Sequence, residues 1–140
     1  MKILIDTNIA LNKLLKHPVF FEPSDTIFKL AEIGQITGYI SASAITDIYY
    51  IARKSLGKTG ATQAIKKMLS VFHPATVTGE HIFQALDLDW NDFEDSVQFV
   101  VGVTLSVDYI ITHNIKDFSL SAIPAITPKQ LIETITGTDE

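Results

Sequence analysis

Met1-Lys2-Ile3-Leu4-Ile5-Asp6-Thr7-Asn8 opens the chain and decides the fold. Ile3-Leu4-Ile5 is a short apolar run that stops at a carboxylate, the signature of a buried strand. Thr7 or Asn8 can then cap a helix that follows directly. The same alternation continues downstream. Ser24 precedes an apolar-periodic stretch through Ile27, Phe28, Leu30, Ala31 and Ile33, closed by Gly34. Gly38-Tyr39-Ile40-Ser41 reads as a second strand, and Ser43 as the cap of a helix carrying Ile45, Ile48, Tyr49 and Ala52. Gly57 and Gly60 separate that helix from another, running from Ala61 to about Phe72. A weak strand over Ala75–Val77 precedes a helix over Glu80–Leu86. Asp92 caps a strongly apolar helix to about Ser106, Tyr109–Thr112 is a third clear strand, and Pro128 opens a last helix. Short apolar strands alternating with helices, with few hairpin signals, predict an α/β domain around a buried parallel sheet. Ligands in such sheets bind beyond the carboxyl ends of the strands. The polar residues just after strands therefore matter most.

At 140 residues, with no repeat, low-complexity segment or linker, positions 1–140 read as one domain. With 46% hydrophobic and 19% charged residues, the chain can bury a core and is not disordered. Apolar runs are far shorter than a membrane span needs, and Asp6 and Asn8 interrupt the opening too early for a signal peptide. Cysteine is absent, which excludes disulfides, thiolate zinc sites and a cysteine nucleophile, and makes a reducing cytoplasm the natural setting. The net charge of −5 argues against a simple basic nucleic-acid binder. The charge is uneven, however. Ile48 to Gly79 holds Arg53, Lys54, Lys58, Lys66 and Lys67 and no acid, whereas Glu80 to Asp117 holds eight acids and one base. Such asymmetry suits a cation site beside a surface for an anion, or simply solvated helix faces.

Four acids stand out. Asp6 ends the first strand and is also an ordinary helix cap. Asp47, one turn into the next helix, shares a face with Ser43, Tyr50 and Lys54; alone it reads as a surface acid favoured by the helix dipole. Asp95 heads the only polar stripe, Asp95, Gln98, Gly102 and Ser106, of an otherwise apolar helix, and Gly102 leaves room for a ligand or another backbone. Glu94 projects about 100° away from Asp95. Asp117 follows the third strand and is equally explained by loop chemistry, with Asn114 stabilising a turn. Together the four fall where the fold converges them. Carboxylates gathered in one crevice repel, and hard divalent cations remove that cost. An oxygen-only donor set without paired histidines points to Mg²⁺ or Mn²⁺, whose remaining ligands are naturally phosphate oxygens.

These residues, in this order, resemble the PIN-domain family, particularly the small toxin ribonucleases of prokaryotic type II toxin–antitoxin pairs. The likeness covers nearly the whole chain. It rests on Ile3-Leu4-Ile5-Asp6-Thr7-Asn8, on Asp92-Phe93-Glu94-Asp95 with its buried helix, and on Asp108 to Phe118. It implies a three-layer α/β/α domain with a central parallel sheet that hydrolyses RNA with Mg²⁺ or Mn²⁺. Asp6, Asp47, Asp95 and Asp117 would be the metal-binding catalytic acids, supported by Asn8, Glu94, Thr112 and Asn114. It also implies a cognate antitoxin and a homodimer. Three positions depart from the family pattern: Asp47 stands where Glu is usual, Asn114 where many relatives carry another acid, and His113 where arginine is common. Asp47 and Asn114 keep open an alternative, a PIN-fold RNA- or protein-binding module with weak or no catalysis. A phosphorylatable receiver domain fits poorly, because the Tyr109–Thr112 strand leads to His113-Asn114 with Lys116 slightly beyond, and a haloacid-dehalogenase-type phosphatase fits poorly because Asn8 cannot act as its acid. Arg53, Lys54, Lys66 and Lys67 are the residues expected to contact RNA. Phe20-Phe21, Tyr49-Tyr50 and Trp90 exceed what the core obviously needs and are candidates for interfaces; Tyr49, on the apolar stripe, reads as core, and Tyr50 is the better candidate for a partner or a base.

Overall fold

The computed structural model describes residues 1–137. In chain order the elements are β1 (Lys2–Ile5), α1 (Thr7–Leu14), α2 (Phe21–Glu32), β2 (Thr37–Ser41), α3 (Ala42–Met68), β3 (Phe72–Ala75), α4 (Gly79–Leu88), α5 (Phe93–Leu105), β4 (Tyr109–Ile111), a 3-10 turn (Ile115–Phe118), β5 (Ala125–Ile126) and α6 (Pro128–Thr136). All pairings are parallel, in the order β3-β2-β1-β4-β5. The strand alternation sorts the core into two layers of helices. Ile3, Ile5, Ile40 and Ile111 face α1, α2, α3 and α6, where Ile9, Ile27, Ile48 and Leu131 are buried with them. Leu4 and Ile110 face the other way, and Val97, Val100 and Val101 of α5 pack with Ala75 and Ala85 on that side. This is the expected three-layer α/β/α arrangement. No helix among the described residues is long and apolar enough to cross a membrane.

Several local expectations are corrected. Asp6, rather than Thr7 or Asn8, caps α1, its side chain accepting from the Thr7 amide. α2 begins at Phe21, so Ser24 is not a cap; it lies buried inside the helix with its Oγ unpartnered. Pro23 explains the earlier start, because proline fits the first turn of a helix. Ser41 caps α3 in place of Ser43, accepting from the Ala44 amide at 3.3 Å, so strand and helix join with no loop. Gly57, at φ 73° and ψ 172°, breaks α3 into two helical segments as expected, whereas Gly60 lies inside the second segment, which ends at Met68.

Phe72 does not end that helix. It is a buried strand residue opposite Gly38, and the weak strand runs over Phe72–Ala75 instead of Ala75–Val77. The two-residue β5 carried no sequence signal. Gly102 admits neither ligand nor backbone: an added Cβ would meet Ile123 and Val107 side chains at 3.1 and 3.2 Å. Trp90 is partly buried, packed against Phe99 and Phe118. Phe20 is stacked between His17 and His113. Tyr50 stays 62% exposed, its ring edge-on to Tyr49.

Candidate metal centre

Because every strand points the same way, the residues following β1, β2 and β4 emerge at one edge of the sheet. Asp6 directly follows the central strand and caps α1. Its amide donates to Ile111 O at 2.9 Å, which ties it to β4. Its Oδ1 accepts from the Thr7 amide at 2.7 Å and from Gln98 Nε2 at 3.1 Å; its Oδ2 accepts from the Thr112 hydroxyl at 2.8 Å. The Thr112 hydroxyl in turn accepts from the Asn114 amide at 2.9 Å, so the same hydroxyl orients the turn that leads to Asp117.

The first turn of α5 reaches this edge from the other side. Asp92 caps it, accepting from the Asp95 amide at 3.0 Å. Glu94 accepts from the Thr7 hydroxyl at 3.0 Å and from Gln98 Nε2 at 3.4 Å. Asp47, Tyr50 and Ile51 close the cleft from α3, while Asn8, Asn114 and Asp117 complete its rim. The cleft has a volume of about 360 Å³. It therefore collects Asp6, Asp47, Asp95 and Asp117 together with Asn8, Glu94 and Asn114. Thr112 sits beneath, bonded to Asp6. Glu94 and Asp95 both line this one cleft despite their angular separation.

The charge state follows from this crowding. Burial pushes the Asp95 carboxyl up to about 7, and the charges of Asp6, Asp92, Asp117 and Glu94 add to the shift. Glu94 is raised by burial and by a hydrogen bond with Asp47, against the lowering effect of Thr7. His113 is lowered by burial, partly opposed by Asp6. An all-oxygen, carboxylate-rich cleft short of positive charge has the donor chemistry of a hard divalent cation. Among the described residues, no three His, Asp or Glu side chains are already drawn together as a ligand cage.

The basic residues divide. Arg53 and Lys54 are exposed one turn beyond Tyr50 and Ile51. Lys66 and Lys67 lie in the last turn of α3, beyond the break at Gly57. Lys67 lines a separate groove of about 420 Å³ between α1, α2 and α3. There Asp25 bridges Lys13 and Lys29 at 2.6 and 3.0 Å. Sequence reasoning overlooked two contributions to the cleft. The Thr7 hydroxyl braces Glu94, a role masked by its position as a possible cap. Gln98 was visible only as one member of a polar stripe.

The PIN domain family profile matches residues 2–116, so the chain belongs to the PIN domain family. No curated protein matches the sequence. Among solved structures the fold is similar to VapBC2 from Rickettsia felis bound to a DNA fragment from their promoter. That match has 19% identity over 90% of this chain and 97% of the other, with a TM-score of 0.68. It is also similar to a toxin–antitoxin complex from Klebsiella pneumoniae, at 22% identity over 90% and 97% of the two chains with a TM-score of 0.66. A third likeness is to Mycobacterium tuberculosis VapC20, a sarcin–ricin loop cleaving toxin. There the identity is 15% over 77% and 86% of the chains, and the TM-score is 0.63.

Proposed function

We propose that the chain is an endoribonuclease that hydrolyses RNA phosphodiester bonds with Mg²⁺ or Mn²⁺, the toxin of a toxin–antitoxin pair. The observation that carries this is the gathering of Asp6, Asp47, Glu94, Asp95 and Asp117 around one cleft. Asp6 and Asp95 are the foremost direct ligands. Asp47 and Asp117 complete the set from the exposed rim, and Asn8, Glu94, Thr112 and Asn114 support it. When bound, a divalent ion supplies a water of lowered pKa and offsets charge on the transferring phosphate. Arg53 and Lys54 would hold flanking phosphates, and Lys66 and Lys67, beyond the break at Gly57, would meet only more distant ones. Tyr50 offers an exposed ring on which an unpaired base can stack.

An antitoxin partner is supported by the K. pneumoniae relative, which is a toxin–antitoxin complex. Phe83 and Leu86, exposed on α4, offer apolar surface for a homodimer. The proposed setting is the cytoplasm.

The test uses the purified chain and labelled single-stranded RNA. Cleavage should require Mg²⁺ or Mn²⁺ and stop in EDTA. Reversing Arg53 and Lys54 to Glu should weaken RNA binding. The slope of log affinity against log salt should fall by roughly 0.7 for each lost phosphate contact. Co-expression with a cognate antitoxin should relieve growth arrest. Cleavage indifferent to EDTA overturns the proposal, and RNA binding without cleavage in either ion assigns a binding module instead.

A further inference from the structure

Gln98 sits at the meeting point of two carboxylates and has no part in the chemistry just proposed. It lies in α5, one turn beyond Glu94, and is 1% exposed. Its Nε2 donates to Asp6 Oδ1 at 3.1 Å and to Glu94 Oε1 at 3.4 Å. Its Oε1 is buried with no hydrogen-bond partner. Turned over, the amide would aim its carbonyl oxygen at both carboxylates, so repulsion fixes the orientation. The side chain therefore leaves one buried carbonyl unpaired, which is costly, and in return applies both amide hydrogens to two acids. Its neighbours in the helix, Val97, Val100 and Val101, are buried without any such cost.

We infer that Gln98 is a positioning residue, a neutral counter-charge that spans Asp6 and Glu94 and holds the two carboxylates in register. An amide presents positive hydrogens without a net charge. It limits repulsion in the cation-free protein and does not neutralise the acids a cation would need. A lysine there would neutralise them; an apolar residue would leave them to repel. The counter-charge role stands on the hydrogen bonds alone. Its usefulness to the cleft rests on the cation site proposed above.

The experiment is a double-mutant cycle read by thermal melting of the full chain, with and without Mg²⁺. Gln98→Met keeps the length of the side chain and removes the amide; Gln98→Leu serves as a second variant should methionine not fold. In EDTA, Gln98→Met should lower the melting temperature by roughly 5–10 °C. In a Glu94→Gln background, where the repulsion is already relieved, the same substitution should cost less than about half as much, a coupling that contact alone produces. Mg²⁺ should raise the melting temperature of Gln98→Met more than that of the wild type, because the ion then relieves more repulsion. Equal losses in both backgrounds would mean mere packing and overturn the inference, as would no loss in either. Coupling to Glu94 with no Mg²⁺ shift in any variant would uphold Gln98 and overturn the cation reading of the cleft.

Discussion

An Asp95→Asn variant is expected to melt above the wild type in EDTA at pH 8 and to lose RNA cleavage by at least about 10²-fold. The loss follows from removing a direct ligand, since even outer-shell partners of a metal are worth about 10–100-fold. The gain in stability follows from the electrostatics. The Asp95 carboxyl titrates at about 7 in the folded protein, against 3.8 in an ordinary environment, because burial and neighbouring acids disfavour its charged form. The folded state thus binds this proton more tightly than the unfolded chain does. The resulting stability is fully present below about pH 4 and is lost as pH rises through about 7. Melting of the wild type in EDTA should accordingly fall between pH 5 and about 8, while Asp95→Asn, with nothing to titrate there, should lack that component. Each kcal/mol of crowding relieved is worth about 4 °C in a domain of this size. Saturating Mg²⁺ should close the gap by stabilising only the wild type. A variant that melts below the wild type at pH 8 would show that these acids are not mutually strained.

Gly38→Ala should be the most damaging single methyl in the sheet. An added Cβ would lie 2.3 Å from Cδ1 and Cε1 of the Phe72 ring, opposite it in β3. Phe72 cannot swing clear. It is 1% exposed and packs edge-on against Phe28 with ring centroids 4.8 Å apart. Overpacking of this kind costs about 1–3 kcal/mol, or roughly 4–12 °C of melting temperature. Adding Phe72→Leu should recover part of the loss, which separates a clash from a glycine backbone effect. Denaturant unfolding of the three variants decides it. Gly38→Ala with wild-type stability would mean that the edge strand yields freely.

Asp6 was legible because an apolar run that halts at a carboxylate can hardly be anything but a strand end in a parallel sheet. Asp95 was legible because a nearly all-apolar helix leaves one narrow polar stripe to explain. The misread places have physical reasons. Ile65, Met68 and Phe72 keep helical spacing, so a strand residue extended the helical pattern until Gly38 across the sheet gave it a partner. β5 is two residues long and too brief for any periodicity to register. Ser41 and Ser43 are chemically equal as caps, and only the end of the strand decides between them. Gln98 carries a polar side chain that composition cannot distinguish from a solvent-facing one; its meaning lies in two oxygens contributed by residues 4 and 92 positions away.

The strand order has a consequence for how the cleft breathes. β1 is flanked by β2 and β4, so its amides open only when the whole sheet gives way, and Asp6 is anchored to that slowest segment. Asp117 rides on a four-residue 3-10 turn outside the sheet, and Asp47 is exposed on α3. Deuterium uptake should therefore be slow at Ile3–Asp6 and fast at Ile115–Phe118, with a fixed jaw on one side of the cleft and a loose one on the other.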